Sequence, residues 1–141
     1  PLRRQRQMCI RDRFISLLII AFISSCTKSP SDMIVGEWKI SEIKTSEEIP
    51  DEQKEVYKQI MEDMKSSTKI EFKSDGTYQQ TISEETTTGK WSFTENENTL
   101  VMINENGKTE PAKIIELTEN KLVLENQLDQ TKNTISWEKV K

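Results

Sequence analysis

Residues 68–82 read TKIEFKSDGTYQQTI, and their two-residue period decides the fold. Ile70 and Phe72 share one face of an extended run, Ser74-Asp75-Gly76 supplies the turn, and Tyr78, Gln80 and Ile82 return on one face of the next run. Alternation on both sides of an Asp-Gly pair is the signature of a β-hairpin. The rest of the chain is read outward from this hairpin.

Downstream the same grammar repeats. Gly89, Trp91 and Phe93 mark a third run, ended by Glu95-Asn96-Glu97-Asn98, and Leu100 to Ile103 form a fourth. Asn106-Gly107 then reads as a two-residue turn needing positive φ twice. Ala112 to Leu117, Leu122 to Leu128 and Thr134 to Val140 follow, separated by Thr118-Glu119-Asn120 and Asp129-Gln130. Upstream, in Gly36-Glu37-Trp38-Lys39-Ile40, Trp38 and Ile40 alternate with charged residues, which predicts a half-buried strand; Ile43 falls out of phase and predicts a bulge near Ser41 or Glu42.

The period changes once. After Pro50, Val56, Tyr57, Ile60, Met61 and Met64 recur at helical spacing, with Pro50, Asp51 and Glu52 suited to a helix start, so a helix is predicted over 50–66. Eight short strands joined by tight turns predict a mostly β fold, a small antiparallel up-and-down eight-stranded barrel with one helix between strands 1 and 2. Closure removes exposed strand edges. A two-sheet β-sandwich is the alternative with the same strand count. Trp38, Ile40, Phe72, Tyr78, Ile82 and Trp91 are predicted to face inward, together with Phe93, Leu124, Ile135 and Trp137.

The first 25 residues obey other rules. Phe14 to Ile23, FISLLIIAFI, is an apolar run broken only by Ser16. It is shorter than the roughly 20 residues of a spanning helix and matches the signal-peptide core of about 7 to 15. Ile23-Ser24-Ser25-Cys26 follows at once and resembles the bacterial lipobox: an aliphatic residue, two small ones, then the cysteine that takes lipid and becomes the mature N-terminus. Residues 13–25 are therefore assigned to a lipoprotein signal peptide, Cys26 to lipidation, and residues 26–33 to a lipidated tether. Acyl chains contribute about 0.8 kcal/mol per buried methylene, which anchors a domain without a spanning helix.

All five arginines lie in residues 1–13. Back-translated, Arg3 to Asp12, RRQRQMCIRD, resembles in frame the adapter and transposon end of DNA sequencing libraries, so residues 1–12 are set aside as a non-native leader. Without them the chain from Cys26 onward carries 15 lysines against 23 acidic residues, a net charge of −8. That acidity, with no basic stripe, predicts no nucleic-acid partner. Cys26 is committed to lipid and Cys9 lies upstream of cleavage, so no disulfide is expected.

The chemistry of catalysis is thin. The chain has no histidine, which excludes Ser-His-Asp and Cys-His arrangements and a histidine-held zinc. The paired carboxylates Glu47-Glu48, Asp51-Glu52 and Glu84-Glu85 fall in loops or a helix start, where solvated surface explains them. No calcium loop and no glycine-rich phosphate cradle is present. No enzymatic activity, catalytic residue, metal or cofactor is predicted.

A family resemblance joins these observations. Gly36-Glu37-Trp38 is similar to the Gly-x-Trp that opens lipocalin domains, and IVGEWKI, then Phe72 to Tyr78, then TGKWSF at 88–93 resembles the lipocalin-like lipoproteins of Gram-negative bacteria. The resemblance spans residues 34–140 of a β domain assigned to 34–141. It implies that Trp38, following Gly36, packs across one barrel end with Lys139 or Lys141 over its ring, and Gly36, Trp38 and Trp137 are assigned to packing at that end. Two features depart from it: no arginine follows Arg13, and the helix precedes the second strand instead of following the last.

Two functions of different kinds fit. In the first, the barrel binds a small, mostly apolar ligand, with Met61 and Met64 over one opening and Tyr78, Gln80 and Trp91 facing the guest. In the second, the barrel is filled and meets another envelope protein. An outer-membrane anchor through acylated Cys26, a periplasmic domain and a monomeric state are expected, with display at the cell surface the alternative. Interior volume discriminates between the two functions.

Overall fold

A computed structural model describes residues 28–128 and 131–141. The expectations for the leader, the signal peptide, Cys26 and the Asp129-Gln130 turn lie outside the described residues. The chain runs α1 (Pro30–Ile34), β1 (Gly36–Thr45), a 3-10 turn (Asp51–Gln53), α2 (Lys54–Ser67), β2 (Thr68–Phe72), β3 (Thr77–Ile82) and β4 (Glu85–Phe93). β5 (Thr99–Asn104), β6 (Thr109–Leu117), β7 (Lys121–Leu128) and β8 (Thr131–Lys139) complete it. Each strand pairs with the next and β8 pairs antiparallel with β1, so the sheet closes into an eight-stranded barrel and not a sandwich.

The alternation that predicts the hairpin is its register. Ile70 lies opposite Gln80 and Phe72 opposite Tyr78, while Thr68, Ile70 and Phe72 point in and Lys69 and Glu71 point out. The predicted bulge falls between Ile40 and Glu42, which returns Ile43 to register with Ile135. The Asn106-Gly107 turn is looser than predicted: only Gly107 has positive φ, and the Asn104 side-chain oxygen instead accepts from the N–H groups of Asn106 and Lys108. An asparagine at the strand end thus supplies acceptors that a two-residue turn would take from backbone.

The two ends of the barrel differ. At one end lie the start of β1 and the β2–β3, β4–β5 and β6–β7 turns. Here the largest fully buried side chains collect: Ile34, Trp38, Phe72, Leu100 and Leu122. Trp91 meets Phe72 edge-on at 5.8 Å and Phe93 at 5.6 Å, spacings at which aromatic edges and faces attract. Burying Trp38 alone removes enough apolar surface to contribute about 5 kcal/mol before entropy is charged.

Part of the expected tether is ordered into α1, which closes this end. Ser29 caps it by accepting from the Asp32 N–H, Pro30 occupies the first turn, and Ile34 is fully buried. The helix over 50–66 is observed as the turn and α2 over 51–67, but its apolar stripe is not a plug. No residue of α2 is buried, and Val56 and Ile60 are 63% and 49% exposed. Ile82 also departs from its inward assignment: it ends β3 at the open rim and is 48% exposed.

One glycine is demanded by packing. A Cβ on Gly89 would lie 2.2 Å from the Ile103 carbonyl oxygen and 2.7 Å from the Tyr78 ring, and the first obstacle is backbone. Gly89→Ala is expected to destabilise the fold by roughly 3 kcal/mol, at the upper end of overpacking costs. The measurement is a lowered urea midpoint at unchanged slope; an unchanged midpoint would contradict this packing.

Candidate functional site in the open half of the barrel

The site begins with three tryptophans. The Trp38 Nε1–H donates to the Ile34 carbonyl at 2.7 Å, and the Trp91 Nε1–H donates to the Lys73 carbonyl at 3.1 Å. Both belong to the closed half. Trp137 is 5% exposed, and its Nε1–H has no partner among the described residues. Leaving such a donor buried and unpaired costs about 1–3 kcal/mol.

Trp137 lies opposite Ile40 and Leu122, one step above the layer where Trp38 meets Lys139. It therefore does not pack at the barrel end as assigned from the sequence; it lines an interior cavity of about 80 Å³. Ile70, Phe72, Met102, Leu122, Leu124 and Ile135 form the apolar wall, and Gln80, Glu110 and Asn126 bring polar groups to it. The Asn126 Oδ1 is buried without a partner as well. A third orphan, the Thr68 hydroxyl, lies at the start of β2, away from the cavity lining.

Volume limits what enters. The cavity equals the share of two or three water molecules, well below the roughly 300 Å³ at which small-molecule pockets begin. It adjoins a groove of about 380 Å³ between β6 and β7, with Glu110, Asn126 and Ile135 on both linings. A larger depression of about 850 Å³ lies outside the barrel, where β1 leaves β2 beside the end of α2. Its lysine and glutamate lining does not suit an apolar guest.

The predicted ligand-facing residues divide accordingly. Gln80 lines the cavity. Tyr78 and Trp91 are core residues of the closed half: Tyr78 packs on Phe72 and Gly89, and Trp91 sits between Phe72 and Phe93. Burial, followed by the charge of Glu110, holds the Tyr78 phenol above its ordinary pKa. Met61 is half-buried, Met64 is exposed, and neither lines the cavity, because α2 leans on the outside of the barrel. Met102, Glu110 and Asn126 were missed, although Asn126 continues the Leu122, Leu124 alternation and could have been read as Gln80 was.

At the opposite end Gly36 and Trp38 lie beside Lys139. Gly36 has φ +134°, and the Lys139 Cε lies 3.0 Å from where a Cβ would stand. The Lys139 Nζ lies 4.9 Å from the centre of the Trp38 ring and donates to the Met33 carbonyl at 2.7 Å. Lys139, not Lys141, is the cation over the ring.

A closed, antiparallel eight-stranded barrel packed across one end is the architecture of a lipocalin-like protein. A family model described as a lipocalin-like domain matches residues 34–124, and the chain belongs to that family. Its fold is one known for binding small hydrophobic ligands and is typically not enzymatic. Among solved structures, a DUF4847 family protein from Bacteroides vulgatus is similar at 17% identity and a TM-score of 0.55, over 75% of this chain and 93% of that one. Bovine odorant binding protein, solved with a selenium-containing odorant, aligns at 18% identity and a TM-score of 0.49, over 81% of this chain and 74% of its own. No curated protein matches the sequence.

Lys139 contributes a pH dependence at the closed end. Burial, then the positive charge of Lys28, holds its pKa below the ordinary 10.5, against the opposing pull of Glu119. Between the folded and unfolded values the folded chain binds fewer protons, so stability from this group rises with pH through that window. Below the folded value the buried charge carries its full cost. Wild type is expected to gain stability relative to Lys139→Met as pH approaches 10.5, and the Lys139 Cε resonance to titrate below those of exposed lysines. A Lys139 midpoint equal to theirs would overturn the assignment.

Proposed function

We propose that this protein is a lipid-anchored envelope lipoprotein whose barrel binds a small, mostly apolar ligand in the half of its interior farthest from the anchor. The observation that carries the proposal is the Trp137 indole, a buried donor without a partner among the described residues, on a cavity wall that is apolar apart from Gln80, Glu110 and Asn126. Trp38 and Trp91 have the same chemistry and both are satisfied. An orphaned donor costs stability that a bound acceptor returns, which is how a site for a guest differs from plain core.

The lipobox-like Ile23-Ser24-Ser25-Cys26 supports an acylated Cys26, and Thr27 in place of an aspartate supports the outer membrane, with the domain in the periplasm. The tether leads to the closed end: Lys28 pairs with Glu119 in the β6–β7 turn at 2.8 Å, and α1 packs beneath Trp38. The open half then faces away from the bilayer, toward solutes of the compartment. Among the described residues no helix is long and apolar enough to cross a membrane.

A second reading has its own support. The cavity is small, and Val56, Ile60 and Met64 leave an apolar stripe exposed on α2, as expected of a filled barrel that meets another envelope protein.

Native mass spectrometry of protein purified from its host's envelope separates the two. Ligand binding predicts a reproducible co-purifying mass, and repeated recovery of empty protein would sink the proposal. For the anchor, Cys26→Ser is expected to abolish acylation and leave the chain soluble or as uncleaved precursor; normal membrane retention of that variant would refute it.

A further inference from the structure

Pairing between β6 and β7 starts late. It runs from Leu117 opposite Leu122 to Lys113 opposite Glu125 and goes no further, although β7 continues to Leu128 and β6 begins at Thr109. Over the same residues β6 stays paired with β5, from Lys113 opposite Thr99 to Thr109 opposite Ile103. The barrel wall is therefore split between β6 and β7 near the mouth, in addition to the place where β1 runs on past β2 beside α2.

The cause lies in one residue. In an antiparallel strand the N–H groups of alternate residues face alternate neighbours. The Ile114 N–H donates to the Asn98 carbonyl on the β5 side, so Ala112 and Glu110 also face β5, whereas Lys113 and residue 111 face β7. Residue 111 is proline. The next donor that β6 would offer β7 after Lys113 does not exist, and proline inside a sheet is confined to places where its missing N–H faces no partner strand. The ladder stops where Pro111 removes its rung.

The gap this leaves is the 380 Å³ groove, and its inner edge is shared with the cavity at Glu110, Asn126 and Ile135. The cavity alone is too small for a ligand, whereas the groove is of ligand size. Its charges are balanced, since Lys108 and Glu110 pair at 2.8 Å, and its remaining polar groups are neutral, with Asn126 and Asn133 on the facing strands. Beyond it the cavity ends on an N–H without an acceptor.

We propose that the ligand enters and lies sideways, in the β6–β7 cleft held open by Pro111, and that it is a short uncharged molecule whose inserted tip carries an oxygen acceptor, a carbonyl, ether or hydroxyl, for the Trp137 N–H. This rests on the ligand-binding proposal above and names the class of guest and its route. An anion finds no unpaired cation among the described residues of the cleft, where Lys108 is already held by Glu110. A cation brings no acceptor to the indole.

The test is a titration of the full chain followed by ¹H–¹⁵N NMR, with 2-hexanone as the neutral acceptor and hexanoate as its charged counterpart. 2-Hexanone is expected to move the Trp137 indole resonance together with the amides of Asn126 and Asn133, leaving the Trp38 and Trp91 indoles in place. Hexanoate is expected to bind at least tenfold more weakly. Pro111→Val, which restores a donor facing β7, is expected to cut 2-hexanone affinity at least tenfold. Should that variant misfold, the wild-type shift map decides alone. If 2-hexanone binds but its shifts gather at the rim residues Thr45 and Ser83, or folded Pro111→Val binds as wild type does, the lateral site is wrong while ligand binding stands. If 2-hexanone leaves every resonance unmoved while envelope-purified protein carries a co-purifying mass, this guest class and route fail alone; if neither probe nor co-purified ligand is found, the binding proposal falls and this inference with it.

Discussion

The bond from the Trp38 indole to the Ile34 carbonyl is the contact on which the barrel depends. It ties the segment before the barrel to the first strand and fixes the ring across the barrel floor, where the Lys139 ammonium lies over it and reaches the Met33 carbonyl. First and last strands meet the entering chain at one point. A closed sheet needs its last strand to find its first across the whole domain, at a large entropic cost of loop closure. A fully buried tryptophan held by a short hydrogen bond and a cation is a concentrated offset to that cost.

Satisfaction of polar groups then divides the molecule. Around Trp38 each indole and the lysine have a carbonyl to bond, whereas the buried orphans, Thr68, Asn126 and Trp137, all lie above that floor. A fold selected for stability alone would put valine or leucine at such places, because an apolar group of similar shape removes the desolvation cost. The closed half bears the stability and the open half spends some of it. That gradient, more than cavity size, is what favours the proposed binding role over a filled barrel.

Much of this was legible in sequence because strands announce themselves by period two. Thr68 to Ile82 gave its own register, and the out-of-phase Ile43 located the bulge. The α1 cap was also written in plain signals, Ser29 before Pro30 with Asp32 in the first turn, yet a segment following a lipobox-like stretch invites reading as a tether. The inward face was legible as a face but not as a depth: alternation put Tyr78, Gln80 and Ile82 on one side, and only the closed barrel shows that the first is core, the second cavity and the third rim. The orphaned Trp137 is invisible in sequence, since all three tryptophans occupy similar alternating contexts. Which indole finds a carbonyl depends on how the flanking turns fold, Ile34 just before β1 for Trp38 and Lys73 in the β2–β3 turn for Trp91.

The helix shows why a correct period gave a wrong place. An eight-stranded barrel has an interior just wide enough for its own side chains, while a helix with side chains is about 10–12 Å across. With Trp38, Phe72, Leu100 and Leu122 already buried inside, α2 has no room within the barrel and must lie outside it. Geometry also says where: β1 has ten residues and β2 only five, and their pairing ends at Lys39 opposite Lys69. The far half of β1 therefore pairs with β8 alone, and the chain returning to Thr68 passes along its unpaired side. An amphipathic stripe normally reports burial against a core. Here it reports a crossover forced onto an outer wall, where Tyr57 and Met61 are half covered and Val56 and Ile60 meet solvent.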